Sequence, residues 1–248
     1  MKTVDLVIIG GTGFYQLDGL DLERQEPVET PFGMTQAPLA AGTLRGRGVA
    51  FLPRHGPGHE IAPHQVNYRA NVWACSSLSP RHFVSINAVG SLNWDMPPRS
   101  VVLPDQLIDY TWGREHSFVG ALPLSEMYVD MTEPYCSELR RKILQAGQGI
   151  LSAKSGVLGV AQGPRLETAA EINRLAHDGC DLVGMTGMPE AGLARELELS
   201  YASICIVANR AAGLDGQQAI SMDQIFSNIS QGAARVLSII ERLLDHMD

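Results

Sequence analysis

The sequence predicts an α/β protein: one domain over residues 1–248 with a mixed central β-sheet flanked by helices. Three observations predict it. Short β-rich runs alternate with helically spaced runs from one end of the chain to the other. Several of the β-rich runs are apolar throughout instead of alternating, as strands covered on both faces must be. No internal repeat, low-complexity tract or linker marks a place where a second domain would begin. A chain of 248 residues, 45% of them apolar, is long enough to bury a substantial core under such a sheet.

Taken in order, VDLVIIG (4–10) and GVAFLP (48–53) are the first expected strands, and HQVNYRANVWACSSL (64–78) has helical spacing. HFVSINAVG (82–90) and SVVLPDQLID (100–109) read as strands, CSELRRKILQAGQ (136–148) as a helix, and SGVLGVAQG (155–163) as a strand. ETAAEINRLAHDG (167–179) is an expected helix closed by Gly179, since glycine accepts the left-handed turn that ends helices. CDLVGMT (180–186) is a strand. PEAGLAREL (189–197) is a helix with Pro189 in its first turn, where the missing N–H costs nothing. YASICIVAN (201–209) is the last strand, its apolar run broken only by Ser203. The final segment, 221–246, spaces Ile225, Ile229, Val236, Ile240 and Leu243 along one apolar helix face.

The formal net charge of −8 argues against nucleic acid or an anionic membrane as the main partner. Any phosphate must be held locally, by backbone amides and a few chosen cations. Cys75, Cys136, Cys180 and Cys205 show neither paired nor metal-type spacing, so reduced packing residues and a cytoplasmic location are expected. The apolar run in MKTVDLVIIGG is too short for a signal sequence, no cleavage site follows it, and no run reaches the length of a membrane span.

Six places in the chain carry chemistry. VIIGGTGF (7–14) resembles a dinucleotide fingerprint but fails it, because Gln16 stands where a third Gly or Ala belongs. It is either a tight turn or an anion cradle of exposed N–H groups with the Thr12 hydroxyl. LPRHGPGHEIAPHQVNY (52–68) puts Arg54 and His55 directly after a strand. That pair suits an oxyanion; a metal site is disfavoured, since the Gly/Pro-rich loop cannot stack His55 and His59 on a helix. SINAVGSL (85–92) brings Asn87 and Ala88 to another strand end, and DLVGMTGMPEAGLARE (181–196) brings Met185 and Thr186 to a third. Polar groups from several strand ends suggest a common crevice. Glu167, in AQGPRLETAAE (161–171), reads on its own as a first-turn carboxylate favoured by the helix dipole. Asn209, at the mouth of the last strand, either caps a turn or reads a ligand.

In this order and spacing, IIGGTGF, TPFG, RHG, NYRAN, GPRLET, MTGMPEA, LARE and YASICIVAN resemble the trimeric purine nucleoside phosphorylase and methylthioadenosine phosphorylase family over nearly the whole chain. The resemblance implies a single-domain nucleoside phosphorylase fold, a pentosyltransferase using inorganic phosphate as co-substrate, no metal or organic cofactor, and a homotrimer with sites near subunit boundaries. It further implies that Thr12, Arg54, His55, Asn87, Ala88 and Thr186 surround phosphate. Met185 is then expected against the ribose, with Leu166, Glu167, Asn209 and Ala211 about the base and Asn209 as the catalytic residue.

The family divides on the base. Members acting on 6-aminopurines are expected to carry Asp at the place of Asn209, a second Asp at that of Ala211, and a small hydroxyl residue at that of Glu167. A 6-oxopurine offers O6 as acceptor and N1–H as donor, whereas adenine offers a bare N1. The Asn209 amide suits O6 and a protonated N7, and the Glu167 carboxylate wants N1–H. Buried polar groups left unpaired discriminate by roughly 10⁴-fold in favourable cases. At the sugar's 5′ end, AISMDQI (219–225) offers Met222 and Ile225 and no His, as in the methylthio branch. Together these imply S-methyl-5′-thioinosine as substrate, with inosine or guanosine, or methylthioadenosine, as alternatives. Tyr128 stands where that branch would lend a His to a neighbouring subunit. With the sequence ending at Asp248, the extension that closes the pocket in longer members is expected to be missing. A nucleoside-binding module without catalysis would have no use for Thr12, Arg54, His55 and Thr186, and a dinucleotide-dependent oxidoreductase fails at the glycine fingerprint.

Overall fold

Leu6–Gly10 form the first strand, β1, and show why an unbroken apolar run is needed there. Leu6 and Ile8 join one core cluster, while Val7 and Ile9 join a second on the opposite face of the sheet. With both faces covered, neither side-chain set tolerates a polar residue. The structure, a computed structural model, describes residues 4–121, 128–214 and 221–247.

The strands that follow are β2 (Asp21–Glu26), β3 (Glu29–Thr30), β4 (Gly33–Met34), β5 (Leu39–Leu44), β6 (Arg47–Pro53), β7 (His82–Ser91), β8 (Val101–Val102), β9 (Gln106–Asp109), β10 (Val157–Val160), β11 (Leu182–Gly184) and β12 (Tyr201–Arg210). The helices are α1 (Tyr68–Ser76), α2 (Ser137–Ala146), α3 (Ala169–His177), α4 (Gly187–Glu196) and α5 (Met222–Asp245). Ten strands make one mixed sheet in the order β2-β5-β6-β1-β7-β11-β10-β9, with β12 on β7 and β8 on β12, while β3 and β4 form a separate pair. On one face Leu139 and Ile143 of α2 and Val236, Ile240 and Leu243 of α5 pack on Leu6, Ile8, Val84, Ile204 and Ile206. On the other, Val72 of α1 and Leu193 of α4 pack on Val7, Ile9, Phe83 and Tyr201.

Three expectations shift. The segment between β1 and β6, unassigned from sequence, holds four strands, and the antiparallel β2–β5 ladder extends the sheet edge. The run 100–109 divides into β8 and β9 on either side of Pro104, which has no N–H for a ladder. The helix expected at 64–78 starts only at Tyr68, because the Asn67 side chain accepts from the Ala70 N–H and fixes the N-terminus there. α5 spans nearly the predicted range, with Ile225, Ile229, Val236, Ile240 and Leu243 all buried. All four cysteines are unpaired. Among the described residues no helix is long and apolar enough to cross a membrane.

Candidate active site

The site arises from a gap beside β7. Strand β12 runs parallel to β7 along one edge, from Phe83 to Ser91. On the other edge β1 pairs with His82–Ser85 in parallel, and β11 pairs with Gly90 and Ser91 in the antiparallel sense. β1 and β11 therefore point at each other along one edge of β7, and their C-terminal ends, Gly10 and Gly184, stop short on either side of residues 86–89. The chain leaving each strand turns out of the sheet there, and the backbone of β7 between them faces the opening. Two strand carboxyl ends thus meet at the opening, and carboxyl ends are where open α/β sheets take ligands.

A cavity of about 420 Å³ occupies the gap. It gathers Thr12, His55, Ala88, Leu166, Glu167, Met185, Thr186, Asn209, Ala211, Met222 and Ile225 on one wall system, residues that lie up to 213 positions apart between Thr12 and Ile225. Arg54 and Asn87 do not line it; both are buried behind its floor. Gly11 explains how Arg54 still approaches. A Cβ at Gly11 would sit 2.6 Å from the Ile86 carbonyl and 2.9 Å from Arg54 Nη1, so only glycine lets the turn lie against the guanidinium. Gly13, at φ +83°, adopts the left-handed conformation that the same turn requires.

Arg54 is fully buried and pairs through its fork with Glu190 of α4: Nε to Oε2 at 2.8 Å and Nη2 to Oε1 at 3.0 Å. Nη2 also donates to Ser85 Oγ and Nη1 to the Ile86 carbonyl. Four of the five guanidinium N–H groups are thereby used, and the fifth, on Nη1, lies beside Gly11. Burial pulls the Arg54 pKa down, but the charge and hydrogen bonds of Glu190 outweigh it and hold it above the ordinary value. Asn87 works through others: its amide donates to Ser85 Oγ and Ser203 Oγ, and its Oδ1 accepts from the Thr186 hydroxyl at 2.8 Å. It orients Thr186 from behind.

His55 is nearly buried, and its Nδ1 lies 2.8 Å from the Ile61 carbonyl. A carbonyl only accepts, so Nδ1 carries the proton and Nε2 of the neutral ring is an acceptor. Burial, with the Arg54 charge second, lowers its pKa from 6.5 to about 3. The folded value lies below the unfolded one, so the stability from neutral His55 is complete above pH 6.5. It is lost as pH falls toward 3, where the unfolded chain binds a proton the native protein does not. The expected slope is up to about 1.4 kcal/mol per pH unit, and denaturation of His55→Gln at several pH values should show a shallower acid limb. Equal slopes in the two proteins would place His55 in water.

At the far end, Asn209 follows a β-bulge between Val207 and Asn209 of β12. The bulge re-aims the side chain. Asn209 Nδ2 donates to the Arg210 carbonyl at 2.6 Å, which leaves Oδ1 and the second N–H for other partners. Arg210 is pinned away from it, over the Trp94 ring and onto the Asn93 and Trp94 carbonyls. Glu167 is not in the first turn of α3, which begins after Thr168. The helix-end carboxylate is Glu171: its hydrogen-bonded ion pair with Arg165, and then the capping box it closes with Thr168, bring its pKa down to about 2. Glu167 is thus free of that duty, and burial raises its carboxyl pKa above the ordinary value.

α5 contributes Met222, Ile225, Phe226 and Ile229 to the wall, all apolar. Met222 is 54% exposed at the mouth, and Ala219 and Ile220 of the stretch AISMDQI lie outside the described residues. Tyr128 is 85% exposed and does not line this cavity. Sequence reasoning missed Glu190, Ser85 and Ser203, whose partners are set by the sheet, and Arg114. Arg114 donates to the carbonyls of Met185, Met188 and Gln162 and so fixes the loop that carries Met185 and Thr186. A larger cleft of about 550 Å³ shares Glu167 and is lined by Tyr110, Trp112 and Arg174, but its Arg165 and Glu171 already satisfy each other. Among the described residues no group of three or more His, Cys, Asp and Glu side chains is placed to hold a metal ion.

A family model described as the phosphorylase superfamily matches residues 5–245. The chain is 45% identical over 244 residues to a probable S-methyl-5′-thioinosine phosphorylase of Xanthomonas campestris, covering 98% of each chain. It is 42% identical to a 6-oxopurine nucleoside phosphorylase of Pyrococcus furiosus over 86% of this chain and 82% of that one. Among solved structures, the methylthioadenosine phosphorylase of Schistosoma mansoni in complex with adenine superposes with a TM-score of 0.91 at 33% identity, over 99% of this chain and 93% of that one.

Proposed function

The chain belongs to the phosphorylase superfamily, and we propose that it is a pentosyltransferase cleaving S-methyl-5′-thioinosine with inorganic phosphate to hypoxanthine and 5-methylthioribose 1-phosphate. The observation that carries this reading is the composition of one cavity: anion-binding groups at the β7 gap, Glu167 with Asn209, and an apolar α5 wall. Names of relatives in the Xanthomonas and Pyrococcus comparisons agree with an oxopurine base.

In this reading phosphate lies at the gap, against the Gly11–Gly13 turn, the β7 backbone at Ala88, Thr186 and the free Nη1 N–H of Arg54. One phosphate oxygen bonds to the anomeric carbon as the bond from that carbon to the purine nitrogen breaks, and the electron pair passes to the base. Asn209 holds N7 and O6, where that charge collects, and Glu167 accepts N1–H. The protein's task is positioning and electrostatic stabilisation, which need neither a metal nor an organic cofactor. Met185 packs on the ribose and Leu166 and Ala211 on the base. Tyr128 reaches the site of a neighbouring subunit in a homotrimer. The location is cytoplasmic.

The test compares methylthioinosine, methylthioadenosine and inosine, each with and without phosphate. Phosphate-dependent hypoxanthine release with the highest kcat/KM on methylthioinosine is expected; adenine release from methylthioadenosine at a higher value would overturn the base assignment. Likeness to the Pyrococcus enzyme favours a second reading, an ordinary oxopurine riboside phosphorylase, in which inosine would lead. Met222→His decides the 5′ end: an imidazole at the apolar wall should shift the inosine-to-methylthioinosine ratio of kcat/KM toward inosine by about tenfold or more. An unchanged ratio would remove Met222 from the 5′ pocket.

A further inference from the structure

We infer that Glu190 is the counter-charge of the anion cradle: it fixes the Arg54 fork and cancels its charge, so that the empty cradle holds no uncompensated cation. The inference rests on the reading that an anion occupies the end of the cavity beside Gly11.

A guanidinium whose sole task is to grip phosphate would turn its two-pronged edge to the ligand. Here that edge faces away from the cavity, onto Glu190, with both side chains almost wholly inaccessible at 0% and 1%. Tyr201 Oη donates a third hydrogen bond to Glu190 Oε1 at 3.0 Å, and Ser85 braces Arg54 from β7. Four elements thus hold the pair: the turn after β6, β7, α4 and the start of β12. A carboxylate in contact with a guanidinium removes most of that cation's field at a third point beyond it. His55 adds no charge, since burial and the neighbouring Arg54 charge keep its ring neutral while its Nδ1 donates to the Ile61 carbonyl. The anion is then held by directed N–H groups, and its affinity is kept below what an uncompensated arginine would give. A site that must release a sugar phosphate after each turnover gains from that restraint.

The two roles separate by substitution. Glu190→Gln keeps size and one acceptor but leaves Arg54 a buried cation without a counter-ion until an anion arrives. It should bind inorganic sulfate, an unreactive probe, about tenfold tighter or more than wild type, with a lower phosphate KM and a lower kcat. Its melting temperature should fall without sulfate and recover as sulfate is added. Glu190→Asp keeps the charge but not the reach; it should leave sulfate affinity within about threefold of wild type while kcat falls. The nucleoside KM should stay near wild type in both.

Wild-type protein without phosphate-dependent turnover would overturn the phosphorolysis reading, and this inference with it. Wild-type turnover together with a Glu190→Gln sulfate affinity no tighter than wild type would overturn this inference alone. Phosphate and nucleoside KM rising in parallel would do the same, as it would show a merely structural residue. Should Glu190→Gln fail to fold even in sulfate, Glu190→Asp decides: unchanged sulfate affinity with reduced kcat supports the inference, and a parallel loss of sulfate and nucleoside binding overturns it.

Discussion

Arg54→Ala should weaken phosphate use far more than nucleoside binding and destabilise the fold by about 3–5 kcal/mol, because it strands Glu190 as a buried charge without its partner. Glu190 would keep only the Tyr201 hydroxyl, and Ser85 would lose its donor from Nη2. The stability loss should appear as a melting temperature lower by about 6–20 °C, at 2–4 °C per kcal/mol for a chain of this size. Stability and function can then be pulled apart. In Arg54→Met combined with Glu190→Leu both charges leave together, and apolar replacement of a buried pair is often neutral or stabilising by about 1–4 kcal/mol. The double variant should regain most of the fold while its phosphate KM stays raised. Denaturant unfolding and phosphate-dependent turnover on both proteins check this. An Arg54→Ala protein as stable as wild type would show that water reaches the pair, and one with an unchanged phosphate KM would remove Arg54 from the cradle.

This result also marks where sequence reasoning stops. A cation directly after a buried strand is visible in LPRHG; that its fork turns to a residue 136 positions away is not, because no local pattern pairs Arg54 with α4 and only the tertiary fold brings them together. Asn87 is a similar case. Expected at a strand end, it reads as a ligand contact, whereas it lies within β7 and pairing with Ser85, Ser203 and Thr186 turns its side chain into the protein. The central strands were legible because burial on both faces writes an unbroken apolar run. β2, by contrast, is exposed at all of its positions and charged at most of them, and it owes its strand state to pairing with β5. Such an edge carries no periodic signal. At Glu167 a signal was present and passed over. Thr168 and Glu171 have the capping-box spacing, which assigns the helix-end duty to Glu171 and leaves Glu167 to face the cavity.

The freed Glu167 and the re-aimed Asn209 make the base end the place where specificity should invert. In Asn209→Asp with Glu167→Ser, complementarity to a 6-oxopurine is lost on both edges: no amide donates to O6 and no carboxylate accepts N1–H. A protonated Asp can donate to N7 and accept from a 6-amino group, and the serine removes the lone pairs that oppose adenine's bare N1. Neither change should suffice alone. Asn209→Asp leaves Glu167 against N1, and burial, which already raises the Glu167 carboxyl pKa, makes that mismatch costly. Glu167→Ser leaves an amide set for O6. Two groups on one ligand edge should couple by about 0.5–3 kcal/mol in a double-mutant cycle. The measurement is kcat/KM for methylthioinosine and methylthioadenosine in all four proteins. The preference for the oxopurine should fall by about 10³-fold or more in the double variant, within the range that unpaired polar groups impose. If Asn209→Asp alone leaves methylthioinosine turnover intact, the bond from Asn209 Nδ2 to the Arg210 carbonyl is all that the side chain does, and Asn209 is a strand-end cap.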